Sequence, residues 1–316
     1  MKVNQVQKTQ TQVLKLLYNA KGQTLSGVQI SEQTGISRVA VWKHIKALKA
    51  LRIPISSSPK GYALADPDNL LEPFCFPLEL QEQIFHFQEV ETTMDTAKLL
   101  AREGAPHMSC CVAEHQTKGR GRLNREWVSD RGGLWFTLIL KPDIPPPMAY
   151  IYNFAASLSL SCVINTLYNL ETRVKWPNDL LLEGKKITGL LSEMETRADM
   201  IQFLVIGIGT NVNNDPANDS FDATSIQNTL GKPVSRRNLL SEFLLDFKNR
   251  TTDMDIPKIM AQWREQTTTI GSRVRVETLG KTLSGTATHV DDLGTLFIET
   301  RDGKTEKIIY GDCFHT

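Results

Sequence analysis

The first 65 positions of the chain place apolar residues at the spacing of amphipathic helices. The run "TQVLKLLYNAKG" sets Val13, Leu14 and Leu17 on one face of a first helix, and "SGVQISEQTG" predicts a short second one. A third run, "ISRVAVWKHIKALKALR", begins with Ser37 in position to cap a helix whose Val41 faces inward. Two helices across a short turn that contains glycine, the second of them basic, are the pattern of a helix-turn-helix.

The next positions predict a wing on this unit and then a linker. Two short extended runs in "IPISSSPKGYALA" surround Pro59-Lys60-Gly61, which indicates a β-hairpin. The sequence therefore predicts a winged helix-turn-helix over residues 1–65. The segment 66–80 begins "DPDNLLEPFCFP", which is rich in proline and acidic, and we interpret it as a linker with some local packing.

From residue 81 the pattern changes to apolar strands mixed with helices. The runs "IFHFQEV", "MSCCVAEHQ", "GLWFTLILK" and "IQFLVIGIGTNVN" predict strands, and "TTMDTAKLLAREG" predicts a helix with a capping-box-like start. "MAYIYNFAASLSLSCVINTLYNL" predicts one long buried helix, and "TRVKWPNDLLLEGKKITGLLSEME" predicts two strands that turn at Glu183-Gly184-Lys185. We expect a domain over 81–268 with a mixed sheet and helices on one of its faces.

The last segment, 269–316, alternates apolar and polar residues between turns such as Asp302-Gly303. This pattern predicts a small all-β barrel. The chain as a whole therefore belongs to the multidomain α+β class. The pattern of the barrel does not indicate its role, which is either packing or a contribution to a site.

Composition narrows the class further. No apolar run approaches the roughly 20 residues of a membrane span. The five cysteines form no CxxC pair, and their odd number argues against a disulfide framework. These features predict a cytoplasmic protein without a membrane partner.

The net charge of +1 hides an asymmetry. Residues 1–62 carry ten Lys and Arg against one acid, Glu32, a balance of +9 that leaves −8 for the rest of the chain. A basic head on an acidic body favours a polyanionic partner such as DNA, although a solvated basic surface or a protein-binding winged helix gives the same balance. The residues expected to face DNA are Ser37, Arg38, Val39, Trp42, Lys43 and Lys46 on the third helix and Lys60 on the wing.

Three runs in the central body carry candidate chemistry. "GRGR", residues 119–122, combines glycines that permit close backbone approach with two arginines that can bind anions. "KWPNDLLL" puts Lys175 inside an apolar strand, which is costly unless the ammonium meets an anion, and offers Asn178 and Asp179 to a hydrated magnesium or a phosphate. "GIGTNVN" has two glycines in a strand, which suggests that something lies against the backbone. The sequence lacks the motif GxxxxGK[ST], which excludes a Walker-type phosphate loop, and it also lacks the catalytic motifs HExxH and GxSxG.

In this order, "TTMD", "HQTKGRGR", "KWPNDLLLEGKKITGLLSE" and "GIGTNVN" resemble the bifunctional biotin–protein ligases that also repress the biotin operon. The resemblance covers nearly the whole chain. It implies a class II synthetase-like central domain and an SH3-like C-terminal barrel. It also implies a two-step reaction: biotin and ATP give biotinyl-5′-adenylate, and a lysine of an acceptor protein then takes the biotin and releases AMP.

The resemblance also implies roles for particular residues. The catalytic residues would be Lys175, Arg120 and Arg122. Biotin would contact Thr92, Thr93, Gln116, Gly119, Arg120, Arg122, Lys175, Gly189 and Gly207. ATP or the adenylate would contact Trp127, Asn178, Asp179 and Asn211, and Mg²⁺ would enter with ATP near Asp179 rather than at a fixed site. The loop "NNDPANDSFDATS" resembles one that orders over the adenylate.

This sequence departs from the family pattern in places. Thr92-Thr93-Met94 replaces a common Ser-Thr-Asn, and "LNRE" replaces a more basic run before Trp127. Two other interpretations stay open: a biotin-sensing transcription factor without ligase activity, and a lipoate-type ligase. Operator DNA, a biotin-acceptor protein and a second copy of the chain, joined when the adenylate binds, are the expected partners.

Overall fold

The computed structural model describes residues 8–216, 222–278 and 280–316, and of Asn124 the backbone alone. Its N-terminal part confirms the predicted winged helix-turn-helix. The elements are α1 (Lys8–Asn19), α2 (Gly27–Thr34), α3 (Arg38–Ala50), β1 (Ile55–Ser58) and β2 (Gly61–Leu64). Ser37 caps α3 by accepting a hydrogen bond from the Ala40 amide at 3.2 Å, and Val41 is buried as predicted.

The predicted linker is packed on both of its neighbours. It contains two short 3₁₀ helices and α4 (Leu78–Gln81). Leu70 and Cys75 join the core of the winged domain, whereas Leu71 and Phe76 join the core of the central domain. The segment therefore fixes one domain against the other instead of acting as a free tether.

The central domain is built on a seven-stranded mixed sheet. The strands are β3 (Ile84–Phe87), β4 (Ser109–Ala113), β5 (Leu134–Leu140), β6 (Thr172–Lys175), β7 (Asp179–Leu182), β8 (Lys185–Arg197) and β9 (Met200–Thr210). Their order is β3-β4-β5-β9-β8-β7-β6, and only the β3·β4 pairing is parallel. The helices are α5 (Thr93–Arg102), α6 (Tyr150–Tyr168), α7 (Ile226–Leu230), α8 (Arg236–Thr252) and α9 (Ile256–Gln266).

Two details of the predicted layering are wrong. The helices do not share one face: α6, α8 and α9 pack on the side of Leu138, whereas α5 packs on the opposite side with Ile139. The run that begins at Thr172 forms three strands, not two. The additional reversal lies at residues 176–178, where Pro177 has no N–H to donate to a strand ladder.

One segment has the length and composition of a membrane span, contrary to the expectation from the sequence. It is Pro146–Tyr168, which contains α6. The helix packs against α8 and α9, and most of its side chains are buried in the core of the central domain. Its apolar character is accounted for by this burial.

The C-terminal segment is a five-stranded antiparallel sheet. Its strands are β10 (Arg273–Glu277), β11 (Thr282–Val290), β12 (Leu296–Glu299), β13 (Thr305–Ile308) and β14 (Asp312–His315), in the order β13-β12-β11-β10-β14. Trp176 attaches this sheet to the central domain: its amide donates to the Thr269 hydroxyl and its indole to the Gly294 carbonyl, both at 2.9 Å. Because Trp176 adjoins Lys175, the attachment brings β14 beside the candidate site.

A buried ion network ties the linker to the sheet. His86 Nδ1 lies 3.1 Å from Glu72 Oε1, and His86 Nε2 lies 3.4 Å from Glu114 Oε1. Arg236 at the start of α8 donates to the other oxygen of Glu114 at 2.8 Å. All four side chains are buried, so each charge depends on the others for compensation.

Candidate active site

A cavity of about 370 Å³ lies where residues 117–127 between β4 and β5, named the Gly-rich loop, meet the strands β6–β9 and β14. Eleven of the thirteen predicted site residues line it. These are Thr93, Gln116, Arg120, Arg122, Trp127, Lys175, Asn178, Asp179, Gly189, Gly207 and Asn211. The chain thus gathers residues that are more than 100 positions apart into one concave site.

The two remaining residues support the cavity from outside. Thr92 is the N-cap of α5, and its hydroxyl accepts from the Asp95 amide at 2.9 Å and donates to Asp95 Oδ2 at 3.0 Å. A Cβ on Gly119 would collide with the Trp127 carbonyl and the Ser129 hydroxyl. Gly119 therefore permits close packing within the loop, and Thr92 fixes the helix that carries Thr93.

A polar chain lies at one end of the cavity. Gln116 Oε1 accepts from the Thr93 amide at 2.7 Å and from the Thr93 hydroxyl at 3.0 Å, and Gln116 Nε2 donates to the Ser129 hydroxyl at 2.8 Å. The Thr137 hydroxyl, on β5, lies 2.9 Å from the Thr93 hydroxyl. This chain holds the Gln116 amide in one orientation, as recognition of a polar ligand requires.

The glycines of the sheet line the cavity and also leave room for side chains of this protein. Gly189 and Gly209 are paired across β8 and β9, and Trp127 lies over both. A Cβ on Gly209 would lie 2.6 Å from Trp127 Nε1. A Cβ on Gly207 would lie 2.6 Å from the Met94 sulfur. The missing side chains therefore create flat backbone against which an indole and a thioether pack.

Arg120 lines the cavity and is paired with carboxylates of α5 and β8. Its Nη1 and Nη2 donate to the two Asp95 oxygens at 2.8 and 2.9 Å, and Nη2 also lies 3.2 Å from Glu193 Oε1. Lys98 bridges the same two carboxylates at 2.9 and 2.8 Å. Two cations and two anions balance each other here, so Arg120 anchors the loop to α5.

Arg122 and Arg125 connect the loop to the C-terminal sheet. Arg122 Nε lies 3.4 Å from Asp312 Oδ1, and Arg125 Nη1 lies 2.7 Å from Asp312 Oδ2. Burial lowers the pKa of Arg122. An arginine keeps its charge in proteins, so the side chain provides a cation at the cavity wall. Arg125 and Asp312 were not among the predicted site residues, because their contact joins segments that are distant in sequence.

Lys175 and Lys186 supply the charge on the opposite wall. Lys175 is half-buried, and among residues 8–216, 222–278 and 280–316 no hydrogen bond or ion pair engages its ammonium. Lys186 lies 2.7 Å from Asp179 Oδ1 and 5.2 Å from the centre of the Trp127 ring. Sequence reasoning missed Lys186, although the argument applied to Lys175, a lysine within an apolar strand, would have found it.

The two asparagines of the site are held by the protein itself. The Asn178 side chain donates to the Leu190 carbonyl, which ties the β6–β7 reversal to β8. The buried Asn211 accepts a hydrogen bond from Asn214 Nδ2 at 2.9 Å. The chain that follows Asn211 begins the loop predicted to cover the adenylate, of which residues 217–221 lie outside the described part.

The winged domain exposes the predicted DNA-facing residues together. All seven are exposed: Ser37, Arg38, Val39, Trp42, Lys43, Lys46 and Lys60. The Lys46 ammonium lies 5.4 Å from the Trp42 ring centre. Trp42 is 52% exposed, so this indole and its cation face solvent rather than the core.

Comparison with known families divides the chain into three parts. Residues 85–211 match the Biotin/lipoate A/B protein ligase family, residues 9–63 match an HTH domain, and residues 269–316 match the Biotin protein ligase C terminal domain. The fold and the site together define a ligase of the biotin/lipoate class that carries a helix-turn-helix domain.

Individual relatives narrow this class. The chain is 36% identical to the bifunctional ligase/repressor BirA of Bacillus subtilis, over 92% of this chain and 94% of the relative. It is 33% identical to the biotin–[acetyl-CoA-carboxylase] ligase of Mycobacterium tuberculosis, over 65% of this chain and 77% of the relative. The biotin protein ligase from Aquifex aeolicus in complex with biotin and ATP superimposes with a TM-score of 0.65 at 25% identity, covering 74% of this chain and 99% of that one. The chain belongs to the family of bifunctional biotin ligase/repressors.

Proposed function

We propose that the chain activates biotin with ATP to biotinyl-5′-adenylate and then transfers the biotin to a lysine of an acceptor protein. The observation that carries this proposal is the cavity itself, where the Lys175 ammonium and the Gly-rich loop with Arg122 and Arg125 line one space. Attack of a carboxylate on a phosphate brings two anions together. Fixed cations in a partly enclosed site offset their repulsion.

Each residue contributes by position and charge. Lys175 contacts the biotin carboxylate, whereas Thr93 and Gln116 recognise the polar ring at the other end of the cavity. Arg122, Arg125 and Lys186 surround the phosphates, and Trp127 and Asn211 lie on the nucleotide side. No enzyme nucleophile is required, since the carboxylate of biotin and the amine of the acceptor lysine are themselves the nucleophiles and the site orients them.

Magnesium enters as part of the MgATP substrate. Among the residues that the structure describes, no group of three or more His, Cys, Asp and Glu side chains is arranged to hold a metal ion. Asp179 is the cavity carboxylate that would contact the ion, and its partner in the structure is Lys186. Mg²⁺ commonly binds through one or two carboxylates together with substrate phosphates.

We further propose that the same chain represses transcription in the cytoplasm. In this proposal residues 1–65 bind operator DNA, and residues 66–80 link this domain to the catalytic domain of residues 81–268. Residues 269–316 complete the active site. The adenylate favours a homodimer that is competent for DNA binding, because a ligand shifts an equilibrium towards the state that it binds more tightly. Sedimentation of the chain with and without biotin and ATP tests the dimer.

The decisive experiment supplies the purified chain with ATP, Mg²⁺ and radiolabelled biotin, with and without a biotin-acceptor domain. We expect biotin-dependent pyrophosphate release and labelling of one acceptor lysine. Adenylate formation without transfer would contradict the ligase assignment and leave a biotin-sensing factor. Labelling by lipoate in place of biotin would assign the chain to the other branch of the class.

A further inference from the structure

His315 occupies a place in the cavity that the two-step scheme above does not use. It is the last residue of β14 and lies opposite Val274 on β10. The amide of the next residue, Thr316, donates to the Arg273 carbonyl at 3.0 Å. Its side chain lines the cavity and is open to solvent. In the described part of the chain, no hydrogen bond or ion pair engages its imidazole.

The transfer step needs a proton acceptor. The acceptor lysine attacks the acyl carbon of the adenylate, the new C–N bond forms, the C–O bond to AMP breaks, and the attacking nitrogen must release one proton. A positioned base near this nitrogen accelerates such a step by about 10²–10⁴-fold. The base has to stand at the mouth of the cavity, because the lysine arrives from outside.

Most other polar groups of the cavity cannot serve. Lys175 is a cation, and the carboxylates of Asp179 and Asp312 are paired with Lys186 and Arg125. Burial raises the pKa of the Cys313 thiol to about 12, so it keeps its proton. Glu126, on the Gly-rich loop, is exposed and lines the cavity, but a carboxylate is a far weaker base than an imidazole.

We propose that His315 accepts the proton that the acceptor lysine loses during transfer, and that it takes no part in adenylate formation. This inference rests on the proposed ligase function. Its support is the placement of an unpaired imidazole at the solvent side of the cavity, on the strand that adjoins Lys175. The acceptor lysine then passes His315 before it reaches the reacting carbon.

The surroundings of His315 keep the imidazole in its accepting form. Partial burial and the Lys175 cation both lower the pKa of His315 below its ordinary value, which favours the neutral ring. The charged and titratable groups on the elements around it are Lys175 on β6, Asp312 and Cys313 on β14, and Arg273, Arg275 and Glu277 on β10. A base that is neutral at the working pH is ready for the step.

The test compares His315→Gln with His289→Gln, an exposed histidine of the same sheet that lies outside the cavity beside Phe297. We expect biotin-dependent pyrophosphate exchange within twofold of wild type in both variants. Single-turnover transfer from preformed adenylate to an acceptor domain should fall at least tenfold in His315→Gln only. The wild-type rate should decrease at acidic pH as the imidazole protonates, and this limb should be missing from the variant.

Hydroxylamine provides a second acceptor that separates proton transfer from a structural role. Its addition product is acidic enough to lose a proton to water, so His315→Gln should consume adenylate with hydroxylamine at the wild-type rate. Three results for His315→Gln would each overturn the proposal. They are a wild-type rate of transfer to the acceptor domain, an equal loss of rate in both reaction steps, and a reaction with hydroxylamine that is slowed as much as the transfer. Absence of pyrophosphate exchange in the wild type would instead overturn the ligase function itself.

Discussion

The Arg120 guanidinium and the Asp95 carboxylate form a two-point contact, with parallel hydrogen bonds of 2.8 and 2.9 Å. Asp95 lies in the first turn of α5, and Arg120 lies in the middle of the Gly-rich loop. The arginine holds the pKa of Asp95 well below its usual range, so the carboxylate stays ionised at all physiological pH values. The pair therefore fixes the loop against the helix that carries Thr93.

This pair leads to a prediction for Arg120→Lys. A lysine keeps the charge but cannot reproduce the two-point contact, so the loop loses its fixed position. We expect the KM for biotin to rise about tenfold, a cost in line with the 1.5–3 kcal/mol of a hydrogen bond to a charged group. Pyrophosphate exchange at several biotin concentrations measures this KM. Arg102→Lys is the matched control and should leave KM unchanged, since Arg102 lies on the same helix as Asp95 but pairs with Glu195 of β8, away from the cavity.

Lys175→Ala should abolish both steps of the reaction. The ammonium has no hydrogen-bond or ion-pair partner among the residues that the structure describes, so its removal leaves the fold intact while the carboxylate loses its cation. We expect pyrophosphate release to fall by about 10²–10³-fold, as for the loss of one donor to a developing charge. Lys185→Ala, at an exposed turn on the edge of β8, should behave as wild type. Near-normal release by Lys175→Ala would refute the assignment.

Arg122→Gly should separate synthesis of the adenylate from its retention. Arg122 connects the loop to Asp312, so its loss opens the cavity to water and to foreign amines. We expect adenylate to form and escape, with biotin appearing on bystander lysines of an added protein such as albumin. Labelling confined to the acceptor domain would show that Arg122 has no role in retention.

The sequence predicted the individual runs of the site but not how they pack against one another. Lys175 could be identified because a buried cation is costly unless it meets an anion, and Arg122 because the GRGR run combines glycines with arginines that can bind anions. That Arg120 is neutralised by Asp95 and Glu193, or that Arg125 reaches Asp312, depends on contacts between distant segments. The glycines illustrate the same limit: two of them in one strand indicate that something lies on the backbone, and the structure shows this to be Trp127 and Met94.

The fold was predictable to a similar extent. Periodicity and caps located the helices of the winged domain, since Ser37 and the inward-facing Val41 are local signals. The side of the sheet on which α5 packs is not a local property, because either face of β5 is apolar and fully buried. The additional strand after Lys175 was not predicted, because "KWPNDLLL" fits a single strand unless the chain is assumed to reverse direction at Pro177.

The buried His86 predicts a dependence of stability on pH. Burial lowers the pKa of His86, but its interactions with the Glu114 and Glu72 carboxylates more than offset this and raise it to about 9. A folded pKa above the unfolded value means that the stabilisation is complete below about pH 6.5 and is lost as pH rises towards 9. The free energy of unfolding should therefore decrease by up to about 1.4 kcal/mol per pH unit over this window.

Urea unfolding at pH 6, 7.5 and 9 measures this effect. Wild type should lose stability across the window relative to His86→Gln, which has no proton to release, whereas His289→Gln should follow wild type. If the free energies of unfolding of wild type and His86→Gln differed by the same amount at all three pH values, this would contradict the raised pKa of His86.

The exposed basic face of the winged domain predicts two distinguishable effects on DNA binding. Lys60 lies on the wing, where it can neutralise one phosphate, so Lys60→Ala should weaken binding to all duplexes and reduce the salt slope by about one unit. Arg38 begins α3, the helix expected to enter the major groove, so Arg38→Ala should also relax the preference for one sequence over another by about 1–3 kcal/mol. Titration of operator-like and random duplexes at several salt concentrations, with biotin and ATP present, separates the two. Equal binding of both duplexes by the wild type would show that this face does not read sequence.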